Sequence, residues 1–412
     1  MHHLRFNKKL LAATLVCLAP VSMTHANGFR VPEVSVAGTA AANALVANTE
    51  ELGAVAYNPA TISFHEGKNV MFGVNNVSYK HTVTPTGGTR TDGNGEDSFL
   101  IPNFLISTVG DNGVGFVLLV NSPFGLETKY PAGTFPGFGA AAALAPETSR
   151  IKMLNINPNV SYRIDQDSSV SFGLDFYDVI DLTFNSQAVK INGSGNGVGF
   201  NIGYLHKFDT FNLGISYRSS VTTDIKGQFD STALGPPNAA FVSAEAKLRF
   251  PSMLQFGVRF QPIESLGIEF DIEHTGWSNF DTIDINSSTG PLTSSTNNWE
   301  NTLTYRLGFT YKITAGTRLL FGYAYDETPQ GDDYFSARVP DADRQLFSIG
   351  ASHTFSNWKL EYSYMYVDVD ERNFTTTNPY LGPGTEANGT TAYNGKYESD
   401  VNLIGVSIST SF

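Results

Sequence analysis

From about residue 68 to the C-terminus, apolar and polar positions alternate with a period of two, as in strands with one apolar face. In "FNLGISYRSS", Phe211, Leu213, Ile215 and Tyr217 share one face, and Asn212, Gly214, Ser216 and Arg218 share the other. The same alternation runs through "GVGFNIGYLHKF", "SLGIEFDIEH", "WKLEYSYMYV" and the terminal "VNLIGVSISTSF". It predicts fourteen strands, at about 68–81, 97–109, 113–121, 150–164, 167–184, 198–208, 210–228, 243–261, 264–285, 298–313, 316–327, 343–355, 357–370 and 396–412. Many are longer than soluble strands and match the length that a tilted strand needs to cross a bilayer.

The connections alternate in length. Short turns at 165–167, 207–210, 261–265, 313–316 and 355–357 alternate with long polar loops at 82–96, 122–149, 185–197, 229–242, 286–297, 328–342 and 371–395. One rim of turns and one of loops predicts an all-β fold, a 14-stranded antiparallel transmembrane β-barrel of the outer-membrane type, over 68–412. The apolar face then meets lipid, and the polar, glycine-rich face lines the lumen. Tyrosines and tryptophans near strand ends, such as Tyr305, Tyr311, Tyr323, Trp358 and Tyr362, fit interfacial girdles.

The ends support this compartment. "MHHLRFNKKLLAATLVCLAPVSMTHA" has a basic start, an apolar run and small residues before a cut after Ala26, so residues 1–26 are expected to be a signal peptide. The single cysteine, Cys17, would leave with it, which excludes disulfides and thiolate chemistry in the mature chain. The last strand ends on Phe412 at lipid-facing parity, resembling the signal by which outer-membrane barrels are recognised by the barrel-assembly machinery. Localisation is therefore expected in the outer membrane of a Gram-negative bacterium, among its lipid and lipopolysaccharide. A formal net charge of -13 excludes nucleic acid as a partner, because phosphates demand clustered cations.

Little in the chain points to catalysis. By parity His206, His274 and His353 face lipid or its interface, where a catalytic base is of no use, and there is no HExxH, GxSxG or P-loop. "GSGNGVG" (193–199) reads as a flexible hairpin loop. No enzyme activity, cofactor or metal is expected. By strand parity Arg218, Lys247, Arg249, Arg306 and Arg318 point into the lumen, together with Arg259, Glu269, Asp271, Glu273, Glu300 and Glu361. A mixed-sign network is the plain reading, with one or two of the first five cations open to a ligand carboxylate. The loop at 122–149 carries Phe124, Leu126, Tyr130, Phe135, Phe138 and Leu144 beside an alanine run, and is read as an extracellular hydrophobic groove.

Five stretches resemble the FadL family of outer-membrane transporters of long-chain fatty acids and hydrocarbons. They are "NGFRVPEVSVAGTAAANALVANTEELGAVAYNPATISF" with its Asn58, Pro59 and Ala60; "SPFGLETKYP" followed by "RIKMLNINPNVSYRI"; "LGIEFDIEHTGWSNF" with Glu273, Thr275 and Trp277; "GYAYDETP" with "ARVPDADRQLFSIGASHTF"; and the C-terminal strand. The resemblance implies a monomeric fourteen-stranded barrel whose residues 27–67 form a hatch, or plug, inside the lumen. It also implies passive uptake of a hydrophobic small molecule, long-chain fatty acids first and aromatic or alkane hydrocarbons as the alternative. Capture would be at the loops, passage through a lumen pocket, and release sideways at a kinked third strand, here Asn121, Ser122, Pro123, Phe124 and Gly125. A general porin or a surface receptor fits the same barrel less well.

Overall fold

The computed structural model describes residues 27–94, 98–236 and 239–412; the expected signal peptide, residues 1–26, lies outside them. Among the described residues fourteen antiparallel strands form the wall. The first five are β1 (Gly67–Pro85), β2 (Ser98–Val109), β3 (Val114–Asn121, resuming as Gly125–Lys129), β4 (Thr148–Arg163) and β5 (Ser168–Asn185). Next come β6 (Lys190–Lys207), β7 (Phe211–Arg218, resuming as Val221–Asp230), β8 (Phe241–Phe250, resuming as Met253–Ile263) and β9 (Leu266–Thr275). The last are β10 (Thr302–Thr314), β11 (Thr317–Asp326), β12 (Arg344–Phe355), β13 (Trp358–Phe374) and β14 (Gly395–Ser411). Each pairs with its sequence neighbour, and β14 closes on β1 from Asn69↔Ser411 to Pro85↔Gly395. Closure leaves no free edge, which a bilayer would not tolerate. Ile404, Val406, Ile408 and Phe412 face outward and are exposed, as the alternation predicts.

β3, β7 and β8 each break, and each of these breaks adds a residue that reverses which parity faces inward. Asn121 and Phe124 both face in across the break in β3, as do Arg218 and Val221 in β7 and Phe250 and Met253 in β8. In β7 and β8 the inward positions are mostly polar below the break and mostly apolar above it, whereas in β3 Val117 and Leu119 face inward below it. This corrects the expectation for Lys247 and Arg249, which lie above the break at Pro251–Ser252. They point outward, 64% and 39% exposed, and pair with Asp224 and Asp281 at 2.8 Å. Glu300, also expected inward, is exposed in the connection before β10.

The expected flexible loop at 185–197 is a second correction. Only 186–189 turn, and "GSGNGVG" runs within β6. Its glycines are needed because β7 lies so close: a Cβ at Gly195 would come 2.1 Å from the Asp224 carbonyl oxygen, and one at Gly197 2.4 Å from that of Thr222.

Residues 27–66 form no wall strand and are mostly buried, with one turn of helix, α1 (Val36–Ala40), and two 3-10 turns, Leu52–Ala56 and Pro59–Phe64. The Ser35 hydroxyl caps α1 by accepting from Gly38 N–H at 3.0 Å. The segment has no polar face because wall surrounds it. Its small residues meet glycines of the wall: a Cβ at Gly322 would lie 2.2 Å from the carbonyl carbon of Ala41, and one at Gly350 2.3 Å from the Ala40 Cβ.

Candidate functional site

The site begins where β3 leaves the ladder. β2 pairs with β3 only from Phe104↔Val120 to Val109↔Gly115. Beyond that point Ser98–Asn103 of β2 pair only with β1, and Gly125–Lys129 of β3 pair with β4 and, at Thr128 and Lys129, with Gly93 and Asn94, but not with β2. Pro123 removes a ladder donor at the parting. Gly125 is not needed for the bend, because its φ is not positive and a Cβ there would meet only ordinary contacts, the nearest Val31 at 3.7 Å. In place of β2, the N-terminal segment binds the break. Val31 N–H donates to the Pro123 carbonyl at 2.9 Å, and Gly125 N–H donates to that of Phe29 at 3.0 Å.

Side chains hold this short pairing from behind. Phe29 is buried among five aromatic residues, with centroids 6.0 Å from Phe124, 6.2 Å from Phe250, 4.8 Å from Trp277, 5.3 Å from Phe280 and 5.5 Å from Trp299. Trp277 Nε1 donates to Asn27 Oδ1 at 2.7 Å. Arg30 and Glu273 form a two-pronged ion pair at 2.8 and 2.9 Å, and Thr275 Oγ1 donates to Glu273 at 3.1 Å. Glu273, Thr275 and Trp277 thus serve residues 27–30. The sequence marked these three without showing their partner; the aromatic and basic pair of "NGFRV" was the available signal. The backbone N–H of Gly28 donates to Asp341 at 2.9 Å, and burial pushes that carboxyl up to about 6.

Asn58, Pro59 and Ala60 sit elsewhere, against β4 to β6. Asn58 caps the 3-10 turn that Pro59 opens, and its Nδ2 donates to the Val46 and Tyr204 carbonyls, each at 2.9 Å. Ser169 Oγ donates to the Ala60 carbonyl at 2.8 Å. Lower still, the carboxylates of Glu50 and Glu51 are surrounded by Arg259 at 3.2 Å, Lys312 at 3.4 Å, Arg318 at 2.8 Å, and Lys359. Burial alone would raise Glu51, but Lys359 and Arg318 outweigh it and hold its carboxyl down at about 2.

The remaining lumen cations are engaged in the same way. Arg218 pairs with Asp175 and donates to the Ala56 carbonyl at 3.2 Å, and Arg306 pairs with Glu273 at 3.2 Å. Arg218, Arg306 and Arg318 therefore fasten the segment or its supports, with their charges matched by protein carboxylates.

Directly behind the parting of β2 and β3 lies a cavity of ≈ 140 Å³. Gly28 to Glu33 form one wall, and Val77, Ile101, Leu126, Val367, Val401 and Leu403 supply apolar surface. Arg344 at its edge is matched by Asp326 at 3.1 Å. The expected exposed groove of the loop at 122–149 is not formed. Phe124 joins the rings around Phe29, Leu126 faces the cavity, and Tyr130, Phe135 and Phe138 are buried in an outer cluster with Phe335, Phe374, Tyr393 and Tyr397, against which Leu144 packs. Most of those rings come from loops too irregular to show a period, so the sequence displayed the apolar residues and hid their partners.

Residues 16–412 match the model of a family described as outer membrane protein transport protein (OMPP1/FadL/TodX). The chain belongs to this family. A 47 kDa outer membrane protein of Pasteurella multocida is 25% identical over 90% of this chain and 93% of its own. Outer membrane protein P1 of Haemophilus influenzae is 22% identical over 99% of this chain and 100% of its own. Among solved structures, a Pseudomonas aeruginosa FadL homologue superposes with a TM-score of 0.78 at 19% identity, covering 94% of this chain and 100% of that one. The Ralstonia pickettii toluene transporter TbuX gives 0.68 at 14% identity, covering 93% and 100%. The chain is thus an outer-membrane barrel of a transport family, and these structures share its fold.

Proposed function

We propose that this chain admits hydrophobic small molecules, long-chain fatty acids first, passively across the outer membrane, and that residues 27–67 act as its hatch. The observation that carries this reading is the cavity. It is mostly apolar, lies behind the parting of β2 and β3, and shares a wall with the segment hydrogen-bonded to that parting. A ligand in the cavity is separated from the membrane by Phe29 to Val31 and the kink at Asn121 to Gly125. Displacing that short pairing opens a sideways path, so an apolar molecule need not cross the aqueous periplasm. Transfer into lipid is downhill, and the route calls for no nucleotide or cofactor.

A second reading, monoaromatic hydrocarbons, is favoured by size. An apolar cavity of about 150 Å³ is large enough for benzene, and the cavity here is ≈ 140 Å³. A C16 or C18 chain needs the cavity to lengthen when the hatch moves. Mass spectrometry of ligand co-purifying in mild detergent, paired with uptake of labelled oleate and toluene by cells dependent on this chain, separates the two. A bound long-chain acid with oleate uptake supports the first reading, toluene uptake alone supports the second, and uptake of neither sinks both.

A further inference from the structure

Towards the loops, the wall of the cavity turns from aliphatic to polar. Tyr79 follows Val77 along the inner face of β1, Ser399 follows Val401 along that of β14, and all four line the cavity. One step further His81 is buried, at 1% exposure, with its ring stacked 5.9 Å from that of Tyr79 and 6.2 Å from that of Tyr397. Its nitrogens bridge two hydroxyls: Nδ1 lies 2.8 Å from Ser399 Oγ, and Nε2 lies 2.9 Å from Tyr130 OH. Among the described residues only the Tyr130 hydroxyl donates to the buried Ala337 carbonyl, at 2.9 Å, and a phenol has a single proton to give. Nε2 therefore carries the proton that Tyr130 accepts, Nδ1 is the bare nitrogen, and the Ser399 hydroxyl donates to it. Ser399 Oγ keeps a free lone pair. Tyr79 OH has one hydrogen-bond partner among the described residues, Ser399 Oγ at 3.5 Å, which is beyond the roughly 2.5–3.0 Å of a good O–H···O bond. A free donor and a free acceptor thus lie side by side on a mostly apolar wall.

The arginines that line the cavity are already matched, Arg30 by Glu273 at 2.8 Å and Arg344 by Asp326 at 3.1 Å, whereas this pair of hydroxyls is neutral and unfilled. A ligand hydroxyl meets both halves of the pair, because its oxygen can accept from Tyr79 while its proton goes to Ser399. An ether or a carbonyl satisfies only the donor, and a methyl group leaves both polar atoms without a partner, which is costly beside an apolar surface. We infer that Tyr79 and Ser399 hold the hydroxyl group of an apolar ligand at the loop-side end of the cavity. The inference rests on the uptake reading and sharpens it: among molecules that fit the cavity, alcohols and phenols are held in preference to hydrocarbons of the same shape.

The test compares p-cresol with p-xylene, which has a methyl group in place of the hydroxyl, by equilibrium dialysis of purified full-length protein in matched detergent. Oleate serves as a third probe. Y79F and S399A should each lower the ratio of p-cresol affinity to p-xylene affinity about three- to tenfold, the scale of one neutral hydrogen bond. A gel shift on heating confirms that each variant is folded. A ratio that either variant leaves unchanged, through equal losses of both probes or through no loss at all, makes the altered side chain a packing residue and overturns the inference. Wild-type protein that binds oleate or p-xylene but not p-cresol overturns the inference alone. Wild-type protein that binds none of the three probes overturns the uptake reading and the inference with it.

Discussion

Val31 N–H donates to the carbonyl of Pro123 over 2.9 Å, so the N-terminal segment stands in for β2 as the partner of β3 at the kink. The kink also carries an extra residue. Asn121 pairs with Asn155 and Gly125 with Lys152, so the interval from one pair to the next is one residue longer on β3 than on β4. Deleting Ser122 should remove this bulge and let β3 continue alongside β2. Uptake should then fall several-fold while the barrel still shifts on heating in gels. Transport at the wild-type rate would rule out a route through this part of the wall. Gly125→Ala, whose Cβ has room, should transport normally.

Phe29 is buried, at 3% exposure, and packs against five aromatic rings. Phe29→Ala should lower the local stability of residues 27–31 by about 3–5 kcal/mol, the usual cost of emptying a buried aromatic site. Amide exchange should quicken at Val31 and Gly125, the two donors of the pairing, and stay slow in β10 to β13. Unchanged exchange at Val31 would show that Arg30 and Glu273 suffice to hold the segment.

How much of this could be read beforehand follows from geometry. Strand number, closure and outward apolar faces follow from period-two alternation, which persists along each unbroken stretch. The orientations of Lys247 and Arg249 were misread because Pro251–Ser252 reverse the parity, and period counting assumes an unbroken register. The reversals at Ser219–Ser220, at the β3 kink and at Pro251–Ser252 turn Val221, Phe124 and Phe250 inward to build the cluster around Phe29. Asn58 and Pro59 could be read as a turn, but their partners Val46 and Tyr204 could not. Contacts between a lumen segment and a wall more than a hundred residues away leave no local signature.

Asn58→Ala should leave the buried Val46 carbonyl and the half-buried Tyr204 carbonyl without this donor, and remove the cap of Pro59–Phe64. The expected cost is about 2–6 kcal/mol, from roughly 1–3 kcal/mol for each of the two unsatisfied groups. Limited proteolysis should then cut within 45–64 in a barrel that is otherwise intact. Resistance equal to wild type would mean that the Ser169 contact with Ala60 and the ion pairs at Glu50 and Glu51 carry the load.

Glu51 sets the pH limit of the segment's lower attachment. Its carboxyl ordinarily titrates near 4.5 and is held down at about 2 in the fold, by Lys359 and Arg318 against the cost of burial. A depressed acid pKa means that the folded state binds fewer protons. Its stabilising contribution is therefore complete above about pH 4.5 and is lost as pH falls through about 2. Proteolysis by an acid-active protease should find the segment protected at pH 4 and open near pH 2. Glu51→Gln should lose about 3 kcal/mol of that protection at neutral pH, since it leaves Lys359 and Arg318 short of a counter-charge, and it should flatten the pH dependence. Lys359 keeps Glu361 at 2.8 Å, so the wall itself should remain closed in this variant. A steep pH dependence that survives Glu51→Gln would transfer the effect to another acid of the floor, with Glu50 and Glu269 next to be substituted.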